Sequence, residues 1–280
     1  VGRAERLARA LWRAGQSGLR CFLMFPALLF LSSPVLAGNP PPPAGLDALR
    51  GSGDAQAAAG AFLGIPYRRD GTVDENGFFT LFASPARRFS SPGLNCSGLV
   101  LGISRFLLHK NLTLGEAARD RLGDSGSGAK LGEDWDFGWD LILNISEGEA
   151  RALLLPGGLR ADPAAGSGLS PRGIDIHGKG ELEELCARLR PGFFYLVSLS
   201  VEGRGAVRGL SHYHVGLILP DAGGRAWLYQ TTGRGKTSGR RDLCGDAGRG
   251  AFRRSFANTG KRKMMLVLEV ALPEVGAAPD

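Results

Sequence analysis

The chain has 280 residues, with 34 Lys and Arg against 27 Asp and Glu, 43 Gly, 16 Pro and 22% charged residues. That composition excludes a collagen-like, coiled-coil or wholly disordered chain, and 43% hydrophobic residues can bury a sizeable core in one or two domains. The longest apolar run, Cys21 to Leu31, is shorter than the ~20 residues needed to cross a bilayer, which excludes a polytopic membrane protein.

The formal charge of +7 is concentrated at the start of the chain. Arg3, Arg6, Arg9, Arg13 and Arg20, with one acid, Glu5, precede the apolar run, and Val35-Leu36-Ala37 offers small residues for cleavage. Residues 1–37 therefore read as a secretory signal peptide, the alternative being an anchor left uncleaved. Without them 29 basic residues face 26 acidic ones, about +3, too little to argue for a nucleic-acid partner. No cysteine follows Ala37 to carry a lipid, so the expectation is an exported protein with no stable membrane insertion after cleavage. Its three remaining cysteines are Cys96, Cys186 and Cys244. In an oxidising compartment the odd number points to one disulfide, for which Cys186 and Cys244 read as the pair, and one thiol left over.

In chain order, residues 38–53 form a linker around the run Pro40 to Pro43, and a folded domain is expected over 54–275. Asp54 caps a helix over Ala55 to Leu63, stopped by Gly64 and Pro66. Tyr67 to Asn95 lacks a sustained period and reads as a long irregular segment with a short hairpin near Phe78 to Phe82. Cys96 then opens a helix whose Leu99, Val100, Ile103, Phe106 and Leu107 share one face. A capping box at Thr113-Leu-Gly-Glu116 starts a second helix reaching about Leu122. Residues 123–180 read as an insertion, with Trp135, Phe137 and Trp139 either core or groove wall. A helix is expected over Glu181 to Leu189, followed by strands over Phe193 to Val201, His212 to Leu219, Ala226 to Thr231 and Met264 to Ala271. Helices first and strands afterwards make an α+β layout. Arg249, Arg253, Arg254, Lys261, Arg262 and Lys263 read as a solvated basic loop between strands, or as a contact for anionic wall polymer. Gly233-Arg-Gly-Lys236-Thr237 has the ending of a phosphate-binding loop, but Gln230 stands where its first glycine belongs, so a glycine-rich hairpin is the reading taken.

A cysteine in the first turn of a helix sits at the positive end of the dipole, beside N–H groups that lower a thiol pKa and can hold an oxyanion. That makes Cys96 the candidate nucleophile. His212 and His214 alternate along one strand and are expected to share a face, where either can serve as the base. Gln230, on the next strand, is placed to orient that base. A metal held by His212 and His214 with Asp175 and His177 is the weaker reading, since no third ligand stands at a recognisable spacing.

Five strings, in order, resemble the motif series of the NlpC/P60 cysteine peptidases: Gly64-Ile-Pro-Tyr67-Arg, Asn95-Cys96-Ser97-Gly98-Leu99-Val100, Leu189-Arg-Pro191-Gly192, His214-Val-Gly-Leu-Ile and Leu228-Tyr-Gln230. The resemblance covers roughly Asp54 to Thr232, discontinuously. It implies a papain-like α+β domain, its nucleophile on a helix N-terminus packed on an antiparallel sheet. It also implies cleavage of amide bonds in peptidoglycan stem peptides, of the D-γ-glutamyl-diamino acid type, in the periplasm or cell envelope of a bacterium, with no cofactor and no metal. Carried over, Cys96 is the nucleophile, His214 the base and acid, and Gln230 the third residue. Tyr67, Ser97, Asn95 and His212 are expected around the substrate. Asn95 stands where the family usually has Asp, which removes a charge used in some members to bind a free amine. The same residues also suit a papain-like amidase or acyltransferase on another substrate, and the class alternative is a non-catalytic envelope binding module.

Overall fold

Alternation of apolar side chains along four strands decides the architecture. In β7 (Phe193–Glu202) and β11 (Lys263–Ala271), Phe194, Leu196, Leu266, Leu268 and Val270 face one way, while Tyr195, Val197, Leu199, Met265 and Val267 face the other. Both sets are apolar, so both faces of the sheet must be covered. The computed structural model describes residues 54–123, 134–163, 169–202, 210–257 and 260–273. The expected signal segment and the Pro-rich linker lie outside the described residues, as do 124–133 and 164–168 of the expected insertion.

The main sheet is antiparallel, in the order β10-β9-β8-β7-β11-β4-β5, with β6 pairing β11 off that path. Its other strands are β4 (Arg151–Leu154), β5 (Arg160–Ala161), β6 (Ile174–Asp175), β8 (Leu210–Pro220), β9 (Ala226–Gln230) and β10 (Gly239–Asp242). One face carries α1 (Ala55–Gly60), α2 (Cys96–Leu107) and α4 (Phe137–Ile145), which pack with Val215, Leu217 and Tyr229. The opposite face carries α5 (Glu181–Arg188) and α6 (Asp246–Ser255), through Leu182, Leu185 and Phe252. The mixed helix and antiparallel-sheet class expected from the sequence is what the chain forms. Among the described residues no helix is long and apolar enough to cross a membrane.

Several segments differ from expectation. The short hairpin expected near Phe78 to Phe82 is part of a larger unit: β1 (Gly71–Val73), β2 (Phe79–Leu81) and β3 (Ser84–Phe89) make a small antiparallel sheet where the rest of the segment was expected to be irregular. Its strands are too short and too interrupted by Gly, Pro and Asp to show a period of two. The helix α3 is one turn, Leu114–Ala117, although its capping box forms as expected, Glu116 N–H donating to Thr113 Oγ1 and Thr113 N–H to the Glu116 carboxylate. The segment expected as an insertion contributes α4, which is apolar on most sides because it is buried, with Trp135 and Trp139 in the core. The first half of the basic stretch is helical, not a loop: Arg249, Arg253 and Arg254 lie on the amphipathic helix α6, whereas Lys261 and Arg262 precede β11 in a loop and Lys263 opens that strand. Arg249 and Arg253 pair with Glu183 of α5 at 3.3 Å each, and Arg253 Nε also donates to the Ile176 carbonyl. Cys186 and Cys244 form a disulfide across 58 residues, tying α5 to the β10–α6 turn, and Cys96 is the free cysteine.

Two contacts seat α2. Arg105, buried, donates to the Leu112 and Val73 carbonyls and so joins β1 to the far end of the helix. At the near end Gly98 lies directly on β1, where a Cβ would stand 2.2 Å from the Gly71 carbonyl oxygen and 2.7 Å from Thr72 Cα. Backbone on both sides leaves nothing to give way. Gly98→Ala is therefore expected to lower unfolding free energy by about 1–3 kcal/mol in urea titrations, the range for overpacking. Gly60→Ala, with open space around its Cβ, should be neutral or raise it by up to about 1 kcal/mol. Replacing Cys186 and Cys244 by Ala should cost about 2–5 kcal/mol in the same titration.

Candidate active site

Asn95 is the N-cap of α2, its Oδ1 accepting from Gly98 N–H at 2.8 Å. That bond fixes the first turn and leaves the N–H groups of Cys96 and Ser97, for which the helix offers no acceptor, at the sulfur's end. The side chain at position 95 is thus spent on the helix.

The sulfur rests against the edge of β8. Strand β9 pairs with β8 only over Leu217 to Pro220, so β8 from His214 to Gly216 is free on that side. Into this gap comes Cys96, with Val215 N–H and the Ser97 hydroxyl bonding the sulfur and the His214 ring paired with it. His214 Nε2 is 3.1 Å from Gln230 Oε1, at the last residue of β9. With Nε2 so occupied, the nitrogen left for the thiol is Nδ1, and Gln230, able only to accept through Oε1, keeps the proton on Nε2. Cys96, His214 and Gln230, expected to act together, are brought together.

Burial by itself pushes the Cys96 thiol up. The facing His214 charge, the His214 and Val215 hydrogen bonds and the Ser97 hydroxyl more than offset it, and bring the thiol down to about 7. Burial pushes His214 down, but the Cys96 charge and hydrogen bonds to Cys96 and Gln230 raise it above its ordinary value. The two shifts have one cause, stabilisation of a thiolate–imidazolium pair, which makes sulfur a ready nucleophile near neutrality.

Tyr67 also belongs to this group. It pairs in parallel with Leu94, two residues before the cysteine, and its N–H donates to the Lys236 carbonyl at 2.8 Å. Its hydroxyl is raised by burial and by the Cys96 charge, so it stays a protonated donor. Ser97 is buried beside the sulfur.

His212 stands elsewhere. The expectation that His212 and His214 share a face fails at a one-residue bulge: His214 pairs with Leu199 and His212 with Ser200, leaving Tyr213 unpaired. A bulge of one residue reverses the alternation. His212 consequently faces the α4 layer, its Nδ1 3.0 Å from Ser198 Oγ and its ring 6.0 and 6.4 Å from those of Trp135 and Trp139. Tyr213 and His214 both lie against Phe256, with ring centroids 6.3 and 5.1 Å away. Asp175 and His177 bond other partners and not this pair, Asp175 with Arg262 and the His177 N–H, His177 Nε2 with the Phe256 carbonyl. Among the described residues no group of three or more His, Cys, Asp or Glu is arranged to hold a metal. The glycine-rich segment after Gln230 is the β9–β10 turn, held on Gly64 to Tyr67 by Ser238 and Lys236.

Sequence reasoning missed Val215 and Phe256. The first acts through its backbone, which no residue type announces. The second was signalled by the i, i+4 spacing of Phe252 and Phe256 within the basic stretch.

No family model, no curated protein and no solved structure matches the chain.

The thiol's pH response follows from this geometry. Alkylation of Cys96 by iodoacetamide is expected to rise with pH through an inflection near 7. In His214→Ala the compensating charge is gone while burial remains, so the inflection should move up by about one unit or more. Stopped-flow or mass-spectrometric rates across pH 5–10 check this; an unmoved inflection would mean that His214 does not set the thiol pKa.

Proposed function

We propose that the protein is a cysteine endopeptidase of NlpC/P60 type that hydrolyses amide bonds in peptidoglycan stem peptides. The observation that carries this reading is the Cys96–His214–Gln230 chain, with a thiol lowered to about 7 at a helix N-terminus. A structural cysteine has no need of a paired imidazole or of a glutamine fixing that imidazole's tautomer. The ordered resemblance of five strings supplies the substrate class. The same resemblance gives the papain-like description of the fold and an envelope location.

In the reaction so proposed, Cys96 Sγ attacks the amide carbonyl carbon, and the developing oxyanion lies within reach of the Cys96 N–H and the Tyr67 hydroxyl. His214, protonated as the imidazolium, gives its proton to the leaving nitrogen as the C–N bond breaks, which leaves an acyl-enzyme. Neutral His214 then takes a proton from water, whose hydroxide displaces sulfur, and thiolate and imidazolium are restored. Gln230 holds the ring through both halves and does not itself ionise.

Digestion of purified peptidoglycan and soluble muropeptides, with products read by mass spectrometry, tests the reading. Fragments with new ends at the D-γ-glutamyl bond are expected from the wild type and not from Cys96→Ala, with Gln230→Ala slowed about 10- to 100-fold. Intact muropeptides together with fast Cys96 alkylation would favour an amidase or acyltransferase on another substrate. Absence of both would favour a binding module.

A further inference from the structure

The segment joining Tyr67 to β1 is a tight turn seated on the first turn of the cysteine helix. Gly71 N–H donates to the Arg68 carbonyl at 2.9 Å, Arg68 N–H to the Leu94 carbonyl at 3.1 Å and Asn95 N–H to the Gly71 carbonyl at 2.8 Å. Asp70 occupies the left-handed region, φ 61°, a conformation an aspartate tolerates better than most residues. Arg69 is therefore at the tip of a turn whose ends are both pinned within two residues of the nucleophile. It is exposed, and among the described residues it has no ion-pair or hydrogen-bond partner.

The acids near it are held by other groups, although the Asp70 carboxyl feels the Arg69 charge. Asp70, the acid next in sequence, is turned inward, 7% exposed, its Oδ2 accepting from Ala83 N–H. Asp74 is likewise buried and accepts from the N–H groups of Asn76 and Phe78. Arg68 and Arg87 both lie over the Phe89 ring, at 3.9 and 5.1 Å. Position 95, where the resemblance expects a carboxylate, holds a neutral amide already committed to capping. Tyr67 links the turn to the sulfur: its hydroxyl is raised by burial and by Cys96 and lowered by Arg69.

We propose that Arg69 makes this site selective for substrates carrying a carboxylate beside the scissile bond, in place of a free amine. The substrate part of this inference rests on the amide-cleaving reading above; the anion selectivity does not. An ammonium approaching Cys96 would meet arginine and a helix N-terminus, with the neighbouring Asp70 carboxylate turned inward, whereas a carboxylate gains a charge-assisted pair.

The thiol can report on its own surroundings through two probes of nearly equal size, anionic iodoacetate and neutral iodoacetamide. The ratio of their alkylation rates at Cys96 cancels any common change in thiol reactivity. In the intact protein that ratio should exceed that of Arg69→Ala by about threefold to tenfold, and that of Arg69→Glu by more. It should fall toward the Arg69→Ala value at 1 M salt, where charges are screened over about 3 Å. Arg69→Lys should keep most of it. A ratio unchanged by Arg69→Ala and by salt overturns the proposal. With γ-D-glutamyl substrates, the wild type should favour a free α-carboxylate over the α-carboxamide by about tenfold, and Arg69→Ala should level the two. Equal cleavage of both by the wild type would also overturn it. If neither is cleaved while the probe ratio behaves as expected, the endopeptidase reading fails and the anion-selective site stands.

Discussion

A sulfur partly withdrawn from water and lowered to about 7 needs compensation from its neighbours, and the structure is arranged around that need. An unpaired buried thiolate is too costly to persist, so Cys96, His214, Val215 N–H and Ser97 must meet at one point. Two elements, α2 and β8, supply them, and three devices hold those elements together. The Asn95 cap fixes the first turn of α2, the Gly98–Gly71 contact sets that turn's height above β1, and the early end of β9 at Gln230 leaves the β8 edge open to receive it. Remove any of these and the remaining groups lose their common target.

The two faces of the sheet divide the labour. Helices α2 and α4 fill one side, and the His212–Ser198 pair with Trp135 and Trp139 belongs to that filling. The bulge at Tyr213 turns His214 away from it, toward Phe256 at the end of α6. Phe256 is itself anchored, its carbonyl taking bonds from His177 and Lys263, and α6 is pinned to α5 by Glu183 and by the turn that carries the Cys186–Cys244 disulfide. The imidazole thus has a rigid backing from the layer opposite to the one that brings Cys96. An imidazole held from one side and a thiol delivered from the other makes the pairing depend on the sheet's thickness, which strand packing fixes.

Much of this was legible in the residues. Cys96 at a helix start, the capping box at Thr113, four strands of the main sheet and the disulfide pair followed from spacing, cap chemistry and cysteine number. The helix in the first half of the basic stretch is masked by its charges, which read as a patch, although Phe252 and Phe256 beneath them carry the helical period. The segment 71–89 gave only the short hairpin near Phe78 to Phe82, because three short strands of mixed polarity show no sustained period. Helix α4 hid for the opposite reason: a helix buried on most sides shows no polar face to set off the apolar one.

The sequence by itself determined which side chains could do chemistry and which segments could be helix or strand, because side-chain type, caps and periodicity act over a few neighbouring residues. Tertiary structure alone decided that the two histidines face opposite sides of the sheet, which backbone N–H bonds the sulfur, and that the turn bearing Arg69 lies on the helix of Cys96. Those choices rest on strand register and on backbone packed against backbone. A single bulged residue exchanges the two faces of a strand, and the cross-strand pairing that fixes the bulge joins residues far apart in the chain.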